Sequence, residues 1–296
     1  MGLQSILLRM RLWLLRAMRK ANCCGSGRAR HYARVPKDSG DGAVDNVGDD
    51  SEPNDTKAAE AAQAATRQAI HRALSEKLGL QPFAAQALPL PPDALGPKQR
   101  PPVIVLSRGS VVHFSGDAVV NAANTGCQSG GGVDGAVTAA GGRDLAEARA
   151  RLPELDRRGK RCETGDAKIT IGGSLRAKWC IHAVGPNYCL MEGMGKSLAT
   201  GDQLLHSAYV AALRRAQEVG AETVGFSLLS SGIFRGPRRL LDVLTIGVAA
   251  VEQAAYPGLR AVHLVAFTNE EVQALEAAAW RVWGARGLQP PAPGQR

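Results

Sequence analysis

The sequence predicts an α/β domain, a largely parallel sheet of six strands covered by helices on both faces, preceded by a mostly non-globular N-terminal region. Three observations carry that prediction. From Val103 onward, short β-branched runs alternate with helical patterns, the mark of strands joined by crossover helices. The 296-residue chain is 45% hydrophobic and only 4% aromatic, which suits one or two globular domains, and about 180 residues is ample for one core. Charge is segregated: nine basic residues and no acidic one precede residue 38, leaving 27 of each sign in the remainder. The net charge of +9 therefore belongs to the N-terminus, and direct nucleic-acid binding by the body of the protein is not expected.

Residues 1–37 mix spaced arginines with Leu, Ile, Met and Trp. That composition reads either as a transit peptide, placing the protein in a mitochondrion or another organelle, or as a membrane-surface helix with Cys23 and Cys24 as acylation candidates. Without import, an intracellular location in cytoplasm or nucleus is expected. Arg9, Arg11 and Arg16 interrupt the only apolar stretch, so no transmembrane span is expected. Six cysteines without CxxC spacing form neither a disulfide framework nor a zinc pattern, and a reducing compartment suits them. Residues 38–102 comprise an acidic, Gly- and Ser-rich linker, an Ala-rich amphipathic helix over 57–80 with Ile70, Leu74 and Leu78 on one face, and a Pro-rich linker. The seven prolines between 81 and 102 withhold backbone donors and favour extended chain. The domain is expected over 103–284.

Within it, strands are expected at 103–107, 117–122, 167–171, 178–184, 222–229 and 261–267. Helices are expected at 133–140, 144–152, 199–219, 237–255 and 269–283. The last has Asn269 as a capping residue, Glu270 and Glu271 in its first turn and Gly284 at its end. Residues 285–296, with three prolines and no apolar pattern, read as a flexible tail.

The most informative stretch is DAVVNAANTGCQSGGGVDGAVTAAGG, residues 117–142. Gly130, Gly132 and Gly135 satisfy the G-x-G-x-x-G dinucleotide fingerprint, but residues 124–129 separate them from the strand and the fingerprint is common by chance. The physics survives without it: consecutive glycines let a backbone approach a ligand closely, and amides at a helix N-terminus favour a phosphate.

At VVNAAN (119–124), GGGVDGAV (130–137), CETGDAKIT (162–170), KWCIHAVGP (178–186) and SSGIF (230–234), the chain resembles the macrodomains, most closely the MacroD-type mono-ADP-ribosyl hydrolases and O-acetyl-ADP-ribose deacetylases. The resemblance implies a three-layer α/β/α fold with a mixed sheet, and a ligand, ADP-ribose, at the carboxyl ends of its strands. It implies that Ala122, Gly130, Gly131, Gly132, Val133 and Gly135 wrap the distal ribose and one side of the pyrophosphate. Ser230, Ser231, Gly232, Ile233 and Phe234 would cradle its other side, Phe234 lying against the ribose, with backbone amides supplying most of the grip. Ser110 and Val111 would meet the adenine, and Phe267 would either stack on it or pack in the core. Asn124 and Asp134 are the catalytic pair by resemblance: Asn124 would hold ribose hydroxyls, and Asp134 would orient or deprotonate a water attacking the anomeric carbon, although Asp near a helix start is often a cap. No metal, cofactor or protein nucleophile is needed in such a scheme.

His182, in an apolar strand, reads as a hydrogen-bonded core histidine, Asn121 as a residue fixing the loop, and Cys127 as a spectator. Four positions, at three places in the chain, depart from the family pattern. Ser110 stands in place of an Asp that accepts from the adenine amino group, Thr138 in place of a His, and Arg235-Gly236 in place of Gly and an aromatic. The functional expectation is hydrolysis of mono-ADP-ribose from acidic side chains of proteins, with O-acetyl-ADP-ribose deacetylation as a side activity. The alternative is a non-catalytic reader of ADP-ribose or ADP-ribosylated proteins. A nicotinamide-dependent oxidoreductase is a distant third, there being no second domain of that kind. Expected partners are ADP-ribose and mono-ADP-ribosylated proteins, the N-terminal segment is a candidate for membrane-surface contact, and a monomer is expected.

Overall fold

The computed structural model describes residues 80–88 and 101–288. The basic segment 1–37, the linker beyond it, the helix expected over 57–80 (but for Leu80) and residues 289–296 lie outside the described residues. The sheet has seven strands in the order β1-β2-β7-β6-β3-β5-β4: β1 Gln81–Ala87, β2 Val103–Arg108, β3 Ala118–Ala122, β4 Ala167–Ile171, β5 Trp179–Ala183, β6 Thr223–Ser227 and β7 Ala261–Ala266. The six expected strands are all present. The seventh, β1, lies in the stretch read as a Pro-rich linker. It pairs antiparallel with β2, Leu106 opposite Ala84, with a register irregularity between Pro82 and Ala84. A proline is tolerated there because β1 is an edge strand whose outer side needs no donors. Leu80 and Leu88, flanking it, are buried, so the domain begins ahead of Val103.

The central five strands are parallel, and β4 closes the far edge antiparallel to β5. Alternation along each strand sorts side chains to two faces. On β3, Ala118 and Val120 enter the larger core, packed with α3 (Leu198–Glu218), α4 (Leu240–Gln253) and α5 (Asn269–Gly284), while Val119 enters the smaller one under α1 (Gly132–Ala150). The helix expected over 133–140 and that over 144–152 are one element, α1, kinked at Gly142 with φ +65°. A short helix that the pattern did not predict, α2 (Tyr188–Gly193), is capped by Asn187. In α5 the cap is Thr268 rather than Asn269: its hydroxyl accepts from Glu271 N while the Glu271 carboxylate accepts from Thr268 N, a capping box that Asn269 could not close.

Candidate functional site

The carboxyl ends of β2, β7, β6 and β3 lie side by side, so the segments that follow them form one continuous rim: Gly109–Val111, Phe267, Ser230–Phe234 and Ala123–Gly131. In open α/β sheets a ligand crevice is expected outside these ends. At the β2 end, Ser110 precedes a 3-10 turn over Val111–His113 and its hydroxyl makes no capping bond. At the β7 end, Phe267 is 71% exposed, so the core-packing alternative for it is not what the structure shows.

The loop after β6 is held from within. Ser230, with φ +54°, donates its hydroxyl to Pro186 O at 2.8 Å, and Ser231 donates to Leu228 O at 2.9 Å. Arg235 curls back onto its own loop, Nε donating to Ser231 O and Nη1 to Arg238 O. Its guanidinium braces the turn. Gly232 and Ile233 are exposed at the rim.

The loop after β3 is built more elaborately. The Asn124 side chain folds it: Oδ1 accepts from Gly126 N at 3.0 Å and Nδ2 donates to Ser129 O at 2.9 Å. The amide expected to meet ribose hydroxyls is thus also the brace of the loop that carries it. Thr125 O accepts from the amides of Arg161 and Cys162. The Gln128 amide, turned so that its oxygen faces Arg161, accepts from that guanidinium at 2.9 and 3.0 Å. Gly130, Gly131 and Gly132 are exposed, and the N-cap of α1 is Gly131, with no side-chain cap.

Beneath this loop lies a buried polar cluster. Asn121 and His182 are register partners on β3 and β5, both facing α1, and Thr170 on β4, the register partner of Cys180, reaches His182 diagonally. Asp134, in the first turn of α1, is 3% exposed and does not cap the helix. Its Oδ1 accepts from Asn121 Nδ2 at 2.7 Å and lies 2.7 Å from Arg149 Nη2, both side chains being buried. Its Oδ2 has no hydrogen-bond partner among the described residues. A Cβ on Gly130 would stand 2.7 Å from that oxygen and 3.2 Å from Asn124 Nδ2, so only glycine lets the loop run this close. His182 receives a contact from Asn121 at 3.3 Å on Nδ1 and lies 2.9 Å from Thr170 Oγ1 through Nε2. Burial, and secondarily the charge of Arg149, pushes its pKa down to about 3. It is a neutral core imidazole. The Cys127 thiol meets that of Cys162 in a small apolar pocket with Ala123 and Val184.

Sequence reasoning did not single out Arg149 or Arg161. Arg149 was visible in one respect, since it falls on the four-residue stripe Val137, Gly141, Leu145, Arg149 that α1 buries.

A sandwich with paired loops on neighbouring strands, floored by a carboxylate, defines an α/β/α ligand-binding domain. The Macro domain family model matches residues 120–241. A macro domain-containing protein of Streptomyces coelicolor is 37% identical over 179 residues, covering 60% of this chain and 98% of that one. An O-acetyl-ADP-ribose deacetylase of Escherichia fergusonii is 40% identical over 131 residues, covering 44% of this chain and 69% of that one. Among solved structures, the Oceanobacillus iheyensis macrodomain with ADP superposes with a TM-score of 0.55 at 21% identity, covering 69% of this chain and all of that one. A Trypanosoma brucei macrodomain in complex with ADP gives 0.50 at 29% identity, covering 59% and 68% respectively. The chain belongs to the macro domain family.

Proposed function

We propose that this protein binds ADP-ribose along the rim and hydrolyses mono-ADP-ribose from acidic side chains, with O-acetyl-ADP-ribose as a second substrate. The observation that carries the reading is the unpartnered Oδ2 of Asp134, lying under Gly130 beside Asn124, where the glycine loop would bring a distal ribose. The flanking loops offer main-chain amides to the pyrophosphate from both sides, as helix and loop amides do for anions generally. In hydrolysis, water adds to the anomeric carbon, the bond from that carbon to the protein carboxylate breaks, and the freed carboxyl leaves. Asp134 Oδ2 would accept the proton of the attacking water. On an acetyl ester the same water would instead add to the acyl carbon and release acetate. A relative named O-acetyl-ADP-ribose deacetylase supports this chemistry.

A second reading has its own observation. Asp134 is buried with Oδ1 committed to Arg149 and Asn121, and both ends of the Asn124 amide are engaged by the loop. This suits a reader that holds ADP-ribose without turnover. Glutamate-linked mono-ADP-ribosylated protein, incubated with wild type and with Gly130→Val, separates the two. Release by wild type alone supports the hydrolase. Release by neither, with calorimetric ADP-ribose binding retained by wild type, leaves the reader, and absence of both binding and release overturns either reading.

A further inference from the structure

Arg149 is wholly buried, and its guanidinium reaches three separate parts of the site. Nε donates to Cys127 O in the ligand loop at 2.6 Å, Nη1 donates to Thr138 Oγ1 at 2.6 Å, and Nη2 lies 2.7 Å from Asp134 Oδ1. Thr138 in turn donates to Asp134 O one turn back. A buried ion pair is weak evidence for stability, since apolar replacements of such pairs are often neutral or better. What this one does geometrically is specific. Asn121 donates a hydrogen bond to one oxygen of Asp134 and the Arg149 charge pairs with that same oxygen, without a directed hydrogen bond from Nη2, which leaves Oδ2 as the oxygen under Gly130. The same cation holds the carbonyl of Cys127, a non-glycine residue at φ +51°, a conformation that persists only where its surroundings enforce it. Lys could not substitute, because one ammonium cannot reproduce a planar fork bridging a carbonyl, a hydroxyl and a carboxylate.

We infer that Arg149 is a positioning residue: by joining the Cys127 carbonyl to Asp134, it sets the shape of the glycine loop and selects which carboxylate oxygen faces the ligand. The part concerning turnover rests on the proposed hydrolase reading; the part concerning the loop does not. The test uses the full chain as wild type, Arg149→Lys and the charge-neutral double variant Asp134→Asn/Arg149→Met. It reads amide hydrogen exchange, ADP-ribose affinity by calorimetry, and kcat and KM for release from mono-ADP-ribosylated protein.

In Arg149→Lys, exchange at Gly126 and Cys127 should rise at least tenfold while the β3, β5 and β6 amides keep their protection. ADP-ribose affinity should fall about tenfold, and kcat should fall far more than KM rises. A purely structural arginine would behave differently: Lys would restore everything, or exchange would rise across the sheet, and either result overturns the inference. Should Arg149→Lys not fold, the double variant carries the test, since its local loop exchange must still rise and its ADP-ribose affinity still fall. Unchanged loop exchange there overturns the inference. If wild type neither binds nor turns over ADP-ribose, the proposed function fails, and the exchange pattern alone decides the role of Arg149.

Discussion

At the scale of single residues, the Arg149–Asp134 pair changes how the candidate catalytic carboxylate has to be tested. Asp134→Ala would strand a fully buried guanidinium, and removing one partner of a buried pair costs about 3–5 kcal/mol. We expect Asp134→Ala to lower the urea midpoint accordingly, and Asp134→Asn/Arg149→Met to regain most of the loss. If Asp134→Ala unfolds at the wild-type midpoint, the pair is not the buried contact described. His182 supplies a second residue-scale prediction. Its pKa is 6.5 in the unfolded chain and about 3 in the folded one, so between those values the unfolded state holds the extra proton. Its contribution to stability is complete above pH 6.5 and is lost as pH falls, by up to about 1.4 kcal/mol per pH unit. His182→Gln should therefore show a shallower decline in unfolding free energy between pH 7 and 5 than wild type, and a parallel decline would refute it. The residues that make up the glycine loop were legible in the sequence because they are contiguous. Arg149 was not, because its partners lie 11, 15 and 22 positions away and no local pattern links a helical arginine to a loop carbonyl.

At the scale of elements, the six strands after residue 102 were legible from β-branched runs between helical patterns, whereas their order along the rim was not, because strands distant in the chain are neighbours in the sheet. Where sequence reading fell short, a specific contact was the reason. Pro82 falls in a stretch read as extended linker, yet extended chain becomes a strand only when an edge is available, and β2 provides one. Likewise Gly142 bends α1 without ending it, since glycine reaches φ +65° without the penalty other residues face. A chain beginning at Val103 would thus lack β1 and would expose both the β2 edge and the surface under Leu80 and Leu88. We expect at least about 2 kcal/mol lost from that burial, and association through the bare edge. Chemical denaturation and size-exclusion chromatography against a chain beginning at Leu80 would check it. Equal stability and monomeric behaviour of the shorter chain would show that β1 is dispensable.

At the scale of the whole molecule, the site is a line crossing four adjacent strand ends, and each end contributes a different kind of grip. Ser110 at β2 and the exposed Phe267 at β7 stand at one extreme, Asp134 under the β3 loop at the other, with the β6 loop between them. A ligand with a base at one end and a reacting sugar at the other would run along the spatial order β2-β7-β6-β3, which differs from the order of these strands in the chain. On the proposed reading the adenine lies at the β2–β7 end, where Ser110 offers a neutral hydroxyl and a carboxylate would offer a charge-assisted acceptor. The difference between those two kinds of bond is about 1 kcal/mol, or roughly fivefold in affinity. Ser110→Asp should accordingly tighten ADP-ribose binding by about that factor and leave inosine-diphosphate ribose, which lacks the amino donor, unimproved. Turnover at the far end should keep its kcat, because β7 and β6 separate the β2 end from the β3 end. An equal gain for both nucleotides would mean that the new charge acts on the field of the cleft and not on the base, and no gain for either would place the adenine elsewhere along the rim.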